Sequence, residues 1–144
     1  MKRRHAAALL DLRRADILRA RAFDDAIARG SYVIDLHAPE GKGTVLTRPP
    51  LRGAYDIPLR CLLALGLRRL LVAGRCISGT HEAHSSYRVM PIAMATGHAA
   101  GVCAALAARA GAAARDVDVR EVQRELLRQG ASLRPHLAAR LGVG

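Results

Sequence analysis

A chain of 144 residues that is 51% apolar has room for one modest core and is too apolar to stay disordered. Its net charge of +11 is carried almost wholly by arginine, since Lys2 and Lys42 are the only lysines, and the arginines are spread from Arg3 to Arg140. With 3% aromatic residues and no Trp, nothing alternates with them to stack on bases, so nucleic acid is not the expected partner and a basic nucleic-acid-binding module is kept only as an alternative.

The N-terminus reads Met1-Lys2-Arg3-Arg4-His5 and then a short Ala/Leu run. Asp11 follows Leu10 at once, which makes the run too short for the apolar part of a signal peptide. Residues 5–29 read as helix with a break near Asp16, which is placed to cap Ile17 onward, and with Gly30 as the stop. Residues 31–37 alternate in part and read as a strand. Pro39, Gly41, Gly43, Pro49, Pro50 and Gly53 mark 38–53 as a long loop. Residues 54–65 start extended, because Pro58 disfavours helix at Ile57.

Residues 69–73, Arg-Leu-Leu-Val-Ala, form a short apolar run ended by Gly74, the pattern of a buried strand with its ligand-facing carboxyl end at a glycine. The apolar stretch 89–110 approaches the length of a membrane span, but it is mostly Ala and contains Pro91, Thr96 and His98, so a buried helix is expected and no membrane. Asp118 is placed to cap a helix running to Gln129 and stopped by Gly130, with a last short helix over 134–141. The three cysteines, Cys61, Cys76 and Cys103, form no CxxC pair and are odd in number, which points to a reducing cytoplasm.

The helix start at Pro91 carries the most chemistry. Proline suits the first helical position, and Met90 before it cannot cap. The N–H groups of Ile92, Ala93 and Met94 therefore lack an obvious side-chain partner, and such a helix end binds an anion or a carbonyl oxygen. Gly97 and Gly101 share a face, with Ala93, Ala100 and Ala104 near it, so a sheet or planar ligand can come close. From these residues alone an ordinary core helix is an equal reading.

The stretch YDIPLRCLLALGLRRLLVAGRCISGTHEAHSSYRVMPIAMATGHAAGVCAALA resembles the C-terminal signature of the FAD-dependent oxidoreductase family that includes relatives of heterodisulfide reductase flavin subunits. DILRARAFDDAIARGSYVIDLHAPEGKG resembles the stretch before it, and the likeness covers roughly residues 12–130. The resemblance implies an α/β or α+β fold, part of an FAD-binding domain: a buried strand, then a long helix, with peripheral helices. Segments 1–53, 54–111 and 112–144 would form one domain, a fragment of a larger one. FAD is the implied cofactor and a small molecule the implied substrate, with a hydride passing between that substrate and flavin N5.

Carried over residue by residue, Gly74, Arg75 and Cys76 would line the FAD, and Met90, Pro91, Ile92 and Ala93 would meet the flavin pyrimidine edge. His81 and Glu82 fall in the family's T-H-E-A stretch near the flavin, for substrate contact, proton transfer or a structural hydrogen bond. Arg88 would meet the flavin or an anionic substrate, or form a surface ion pair. Arg60 and Cys61 would shape the sheet near the site, and His37 would face it. Cys76 reads as a reactive thiol or a small buried hydrophobe.

The departures are as informative. His81 and His84 are three apart, not the four of a zinc-binding helix, and no third ligand is evident, so no metal is expected. No cysteine cluster for iron–sulfur is present, and no G-x-G-x-x-G occurs, Gly41-Lys42-Gly43 being followed by Thr44, Val45 and Leu46. The expectation is a chain that lacks the family's N-terminal Rossmann unit, binds FAD weakly or not at all alone, and binds it once a second chain supplies that unit. A non-enzymatic remnant or partner-binding subunit is the alternative.

Overall fold

The computed structural model describes residues 7–37, 43–49 and 53–143. It is a mixed fold of five α-helices and two small antiparallel sheets. In chain order these are α1 (Arg14–Leu18), β1 (Ala26–Gly30), β2 (Ile34–His37), β3 (Thr44–Thr47), β4 (Tyr55–Pro58), α2 (His81–Tyr87), α3 (Met90–Arg109), α4 (Val119–Arg128) and α5 (Pro135–Leu141). Strand β1 pairs with β4, and β2 with β3. No βαβ unit occurs among the described residues.

The β1–β4 pair is the centre of the core. Tyr55 and Ile57 are fully buried, α3 lies across β1, α4 packs on both α3 and β1, and α5 packs on α4, with Val122, Leu126 and Leu137 buried. Two glycines are required by this packing. A Cβ on Gly30 would lie 2.6 Å from the Tyr55 ring and 2.7 Å from Ile92 Cδ1. A Cβ on Gly79 would lie 2.8 Å from the Tyr87 hydroxyl and 2.9 Å from the Leu12 carbonyl oxygen.

One carboxylate ties the strands to the C-terminal helices. Asp56 on β4 is fully buried and accepts from the Phe23 N–H at 3.0 Å and from Arg134 Nε at 2.9 Å. Arg134 Nη2 also donates to the carbonyls of Ala20 at 2.6 Å and Ala54 at 2.7 Å. From α4, Gln123 Nε2 donates to the carbonyls of Asp24 at 2.8 Å and Ala26 at 2.9 Å.

Several expectations are corrected. Of the helix over 5–29, residues 5 and 6 lie outside the described residues, and among the rest only Arg14–Leu18 is α-helical; 26–30 is strand β1 and Gly30 ends it. Backbone pairing outweighs helix propensity here: Ala8 bridges Ala64, Leu12 bridges Gly79, and β1 pairs along β4. Asp16 is not the cap. It sits in the first turn of α1, where its carboxylate accepts the Arg13 N–H at 2.9 Å. The strand over 31–37 is confined to Ile34–His37, and of the 38–53 loop, residues 38–42 and 50–52 lie outside the described residues.

The buried strand at 69–73 is also corrected. Leu70 is 46% exposed, Leu71, Val72 and Ala73 are half-buried, and the segment makes one isolated bridge, Leu71 to Leu63. The Val72 N–H donating to the Leu62 carbonyl at 2.9 Å and the partly buried Leu71 side chain hold it to the core, and its backbone pairing is too little for a sheet strand. By contrast, β4 begins at Tyr55 as Pro58 implies, Asp118 caps α4 through the Arg120 N–H at 2.9 Å, and α5 ends at Leu141.

Candidate functional site

Of the residues singled out in sequence, Gly74, Arg75 and Cys76 pack on α3, whose first turn holds Met90, Pro91, Ile92 and Ala93. The cap position, Val89, has no side chain able to accept, and Pro91 falls in the first turn, one residue later than expected. The Ala93 N–H donates to the Val89 carbonyl at 3.0 Å, so Ala93 is not a free donor, and Met94 follows as the next regular helical donor. The uncapped donors are therefore the N–H groups of Met90 and Ile92. The side chain of Ile92 is buried in the core, while Met90 and Pro91 are exposed.

Gly74, Arg75 and Cys76 form a 3-10 turn packed on this helix start. Gly74 has φ +60°, a left-handed backbone that glycine adopts without strain. A Cβ there would lie 3.3 Å from the Ala93 Cβ. The Gly74 N–H donates to Thr96 Oγ1 at 2.9 Å, and the Thr96 hydroxyl donates onward to the carbonyls of Ile92 or Ala93, each at 3.0 Å. Thr96 was not singled out from the sequence. Its signal is a hydroxyl within an apolar helix, where it either bonds back along the helix or serves a neighbour; here it does both. Arg75 and Cys76 are exposed, so the small buried hydrophobe is not Cys76's place.

Helix α2 leads into the site. Thr80 Oγ1 caps it by accepting the Ala83 N–H at 3.3 Å. Its first turn holds His81, exposed, and Glu82, whose own backbone N–H and the Thr80 hydroxyl hold its carboxyl below the usual range. Glu82 is thus a carboxylate at the positive end of a helix. Ser85 and Ser86 fasten α2 to the β2 region: Ser85 Oγ accepts the Asp35 N–H at 3.2 Å, and Ser86 donates to the Tyr32 carbonyl at 2.6 Å. Arg88, at the end of α2, pairs with Asp35 at 3.5 Å.

His84 stands edge-on to Tyr87, their ring centroids 5.3 Å apart. Among the described residues no three His, Cys, Asp or Glu side chains are grouped to hold a metal. Arg60 forms two hydrogen bonds to Asp25, at 2.8 and 2.9 Å, and burial pushes the neighbouring Cys61 thiol up to about 12. Strand β2 ends at His37.

The outer face of α3 differs from expectation. Ile92, Thr96, Ala99, Cys103 and Ala107 point into the core, but Met90 is 80% and Met94 74% exposed, and nothing among the described residues lies within 4 Å of a Cβ built on Gly97 or Gly101. The helix is the one among the described residues long and apolar enough to cross a membrane, and 33% of that apolar window is buried. The expected core helix is therefore largely uncovered among the described residues, with an open stripe of methionine, glycine and alanine beside the Gly74 turn.

Comparison with curated proteins and with solved structures gives no match. The sequence profile of the FAD dependent oxidoreductase family matches residues 2–126. That match corrects the expected likeness to a C-terminal part alone, with an N-terminal unit missing, because it begins at residue 2 and takes in most of the chain. The match spans most of the chain and places it in the FAD-dependent oxidoreductase family.

Proposed function

We propose that the chain serves FAD-dependent redox catalysis, with a hydride passing between a small-molecule substrate and flavin N5. The observation that carries this reading is the Gly74–Cys76 turn, fastened through Thr96 to an uncapped helix start. The N–H groups of Met90 and Ile92, at the positive end of a 20-residue helix, suit a ring edge that gains negative charge on reduction. The open stripe of Met90, Met94, Gly97 and Gly101 suits a flat aromatic surface.

The described residues fit the flavin-ring end of the cofactor. Bound FAD supplies the hydride-accepting atom. In this reading the turn from Gly74 to Cys76 lines the ring, with Arg75 adding positive charge, and Pro91 and Ala93 set the helix entry so that the two donors point outward. His81 and Glu82, at the start of α2, hold or move a proton near the substrate. Arg88, paired with Asp35, acts as a positioning residue that holds the α2–α3 junction on β2.

Titration of the purified chain with FAD, read by flavin fluorescence and by calorimetry, tests the reading. Saturable binding that weakens about 10-fold or more in Gly74→Val and in Thr96→Val supports it. No saturable binding, or binding indifferent to both changes in folded protein, sinks it.

A second reading, a partner-binding subunit, is favoured by the same exposed stripe on α3, where Met90 and Met94 are unpacked. Light scattering across a concentration series separates the two. Association abolished by Met94→Lys, with FAD binding absent, selects the partner reading.

A further inference from the structure

We infer a binding site for a small oxyanion, a carboxylate or a phosphate, in the cavity beside β1, with Arg29 as its anchor. The cavity has a volume of about 350 Å³ and lies between β1, the α3 residues Ala95 and His98, and the α4–α5 loop at Ser132. No acidic residue is among the described residues lining it. Its volume is at the lower end of ligand sites, which suits a small organic acid or a phosphate and not a dinucleotide.

Arg29 is the reason to assign it. Among the described residues its guanidinium makes no hydrogen bond; its Nε is buried without a partner, and its only ion pair is to Asp56, at 3.8 Å. That distance exceeds a hydrogen bond. Asp56 is drawn away from Arg29, its two oxygens facing Arg134 Nε at 2.9 Å and one also accepting the Phe23 N–H at 3.0 Å. One buried carboxylate thus faces two guanidiniums, and the second leaves a net positive charge at the cavity wall. The Arg29 side chain is 26% exposed, so a ligand in the cavity can reach it while most of the group stays out of water.

An unmade hydrogen bond at a buried charged donor is costly, and a guanidinium fork matches the two oxygens of a carboxylate or phosphate. The hydroxyls of Ser31 and Ser132, both on the lining, add neutral donors. This site does not rest on the flavin reading. Counting 100° per residue along α3, Ala95 and His98 lie on the opposite flank from Ala93, which meets the Gly74 turn.

The test is a titration of the full chain with inorganic phosphate and, separately, with succinate, followed by amide chemical shifts and calorimetry. Saturable shifts centred on Gly30, Ser31 and Ser132 are expected with at least one probe, and the tighter probe shows whether the ligand is tetrahedral phosphate or planar carboxylate. Arg29→Gln is expected to weaken binding about 10- to 100-fold, with Arg29→Lys in between and Arg120→Gln, an exposed change on α4, binding as the unmodified chain does. Should Arg29→Gln not fold, the shift map of the unmodified chain decides. Shifts scattered over the exposed arginines, no saturation with either probe, or unchanged affinity in folded Arg29→Gln overturns the site.

Discussion

Replacing Gly30 by alanine tests the packing at the centre of the fold. Heavy atoms in ordinary contact sit roughly 3.5–4.0 Å apart. A Cβ at position 30 would meet the Tyr55 ring and hydroxyl at 2.6 Å and Ile92 Cδ1 at 2.7 Å, so about 1 Å of relief is needed on two sides. None is readily available. Gly30 is register-paired with Tyr55 itself, Tyr55 is fully buried, and its hydroxyl is hydrogen-bonded to Ser86 at 2.8 Å. Overpacking costs about 1–3 kcal/mol, and loosening the Tyr55–Ser86 bond adds about 1 kcal/mol. At roughly 2–4 °C per kcal/mol for a chain near this size, the melting temperature should fall by roughly 5–15 °C. The control is Gly97→Ala, where nothing among the described residues beyond the helix's own backbone lies within 4 Å of the added carbon; relieving a mid-helix glycine there should stabilise by about 0.5–1 kcal/mol. Thermal melts by circular dichroism and calorimetry read both. A Gly30→Ala protein that melts within 2 °C of the parent would refute the packing argument.

Three further outcomes are expected. Of the three free thiols only Cys76 is exposed, so a disulfide reagent should label one thiol per native chain quickly and all three in denaturant; fast native labelling of Cys61 would be inconsistent with its burial. Burial raises Cys61 from 9.0 to about 12 and Tyr55 from 10.0 to about 12. The unfolded chain then releases these protons first, so their contribution is intact below pH 9 and is lost as pH rises towards 12; urea midpoints that stay flat from pH 8 to 11 would contradict this. Arg134→Met strands the buried Asp56 with only the Phe23 N–H and a distant Arg29, so a loss of about 3–5 kcal/mol in urea unfolding is expected, partly recovered by adding Asp56→Asn.

Local signals were legible in the sequence wherever a residue acts on its own neighbours. Asp118 caps α4, Gly130 follows it with φ +82°, and the Met-Pro pair opens α3 without a side-chain cap. What failed depends on distant partners. Ala26–Gly30 has the composition of a helix, yet it becomes a strand because Tyr55–Pro58 lies beside it and Gln123 donates to its first carbonyl, that of Ala26, from 97 residues away. Leu70–Ala73 has the composition of a buried strand, yet among the described residues its backbone pairs only with Leu62 and Leu63. Similarly, nothing in the local sequence couples Gly74 to Thr96, 22 positions on; the link exists only once the turn folds onto the helix.

The glycines separate what the fold needs from what it leaves unexplained. Gly30 and Gly79 are demanded by atoms closer than 3.0 Å, and Gly74 by a left-handed backbone. Gly97 and Gly101 answer to neither constraint, since both are helical and nothing among the described residues lies near them. Each costs about 1 kcal/mol relative to alanine in a helix interior, and the described packing returns nothing for it. They sit on the one face of α3 that also carries the exposed Met90 and Met94 and that starts beside the Gly74 turn. A surface that must come closer to the helix axis than a methyl group allows would account for both positions; in the proposed function a flat ring at the helix start is that surface for Gly97, whereas Gly101 lies roughly 16 Å along the helix from Met90. Gly97→Ala should therefore act in opposite directions on two readouts, raising thermal stability while weakening FAD binding. A variant that is more stable and binds FAD unchanged would remove the stripe from the flavin reading and leave the Gly74 turn to stand alone.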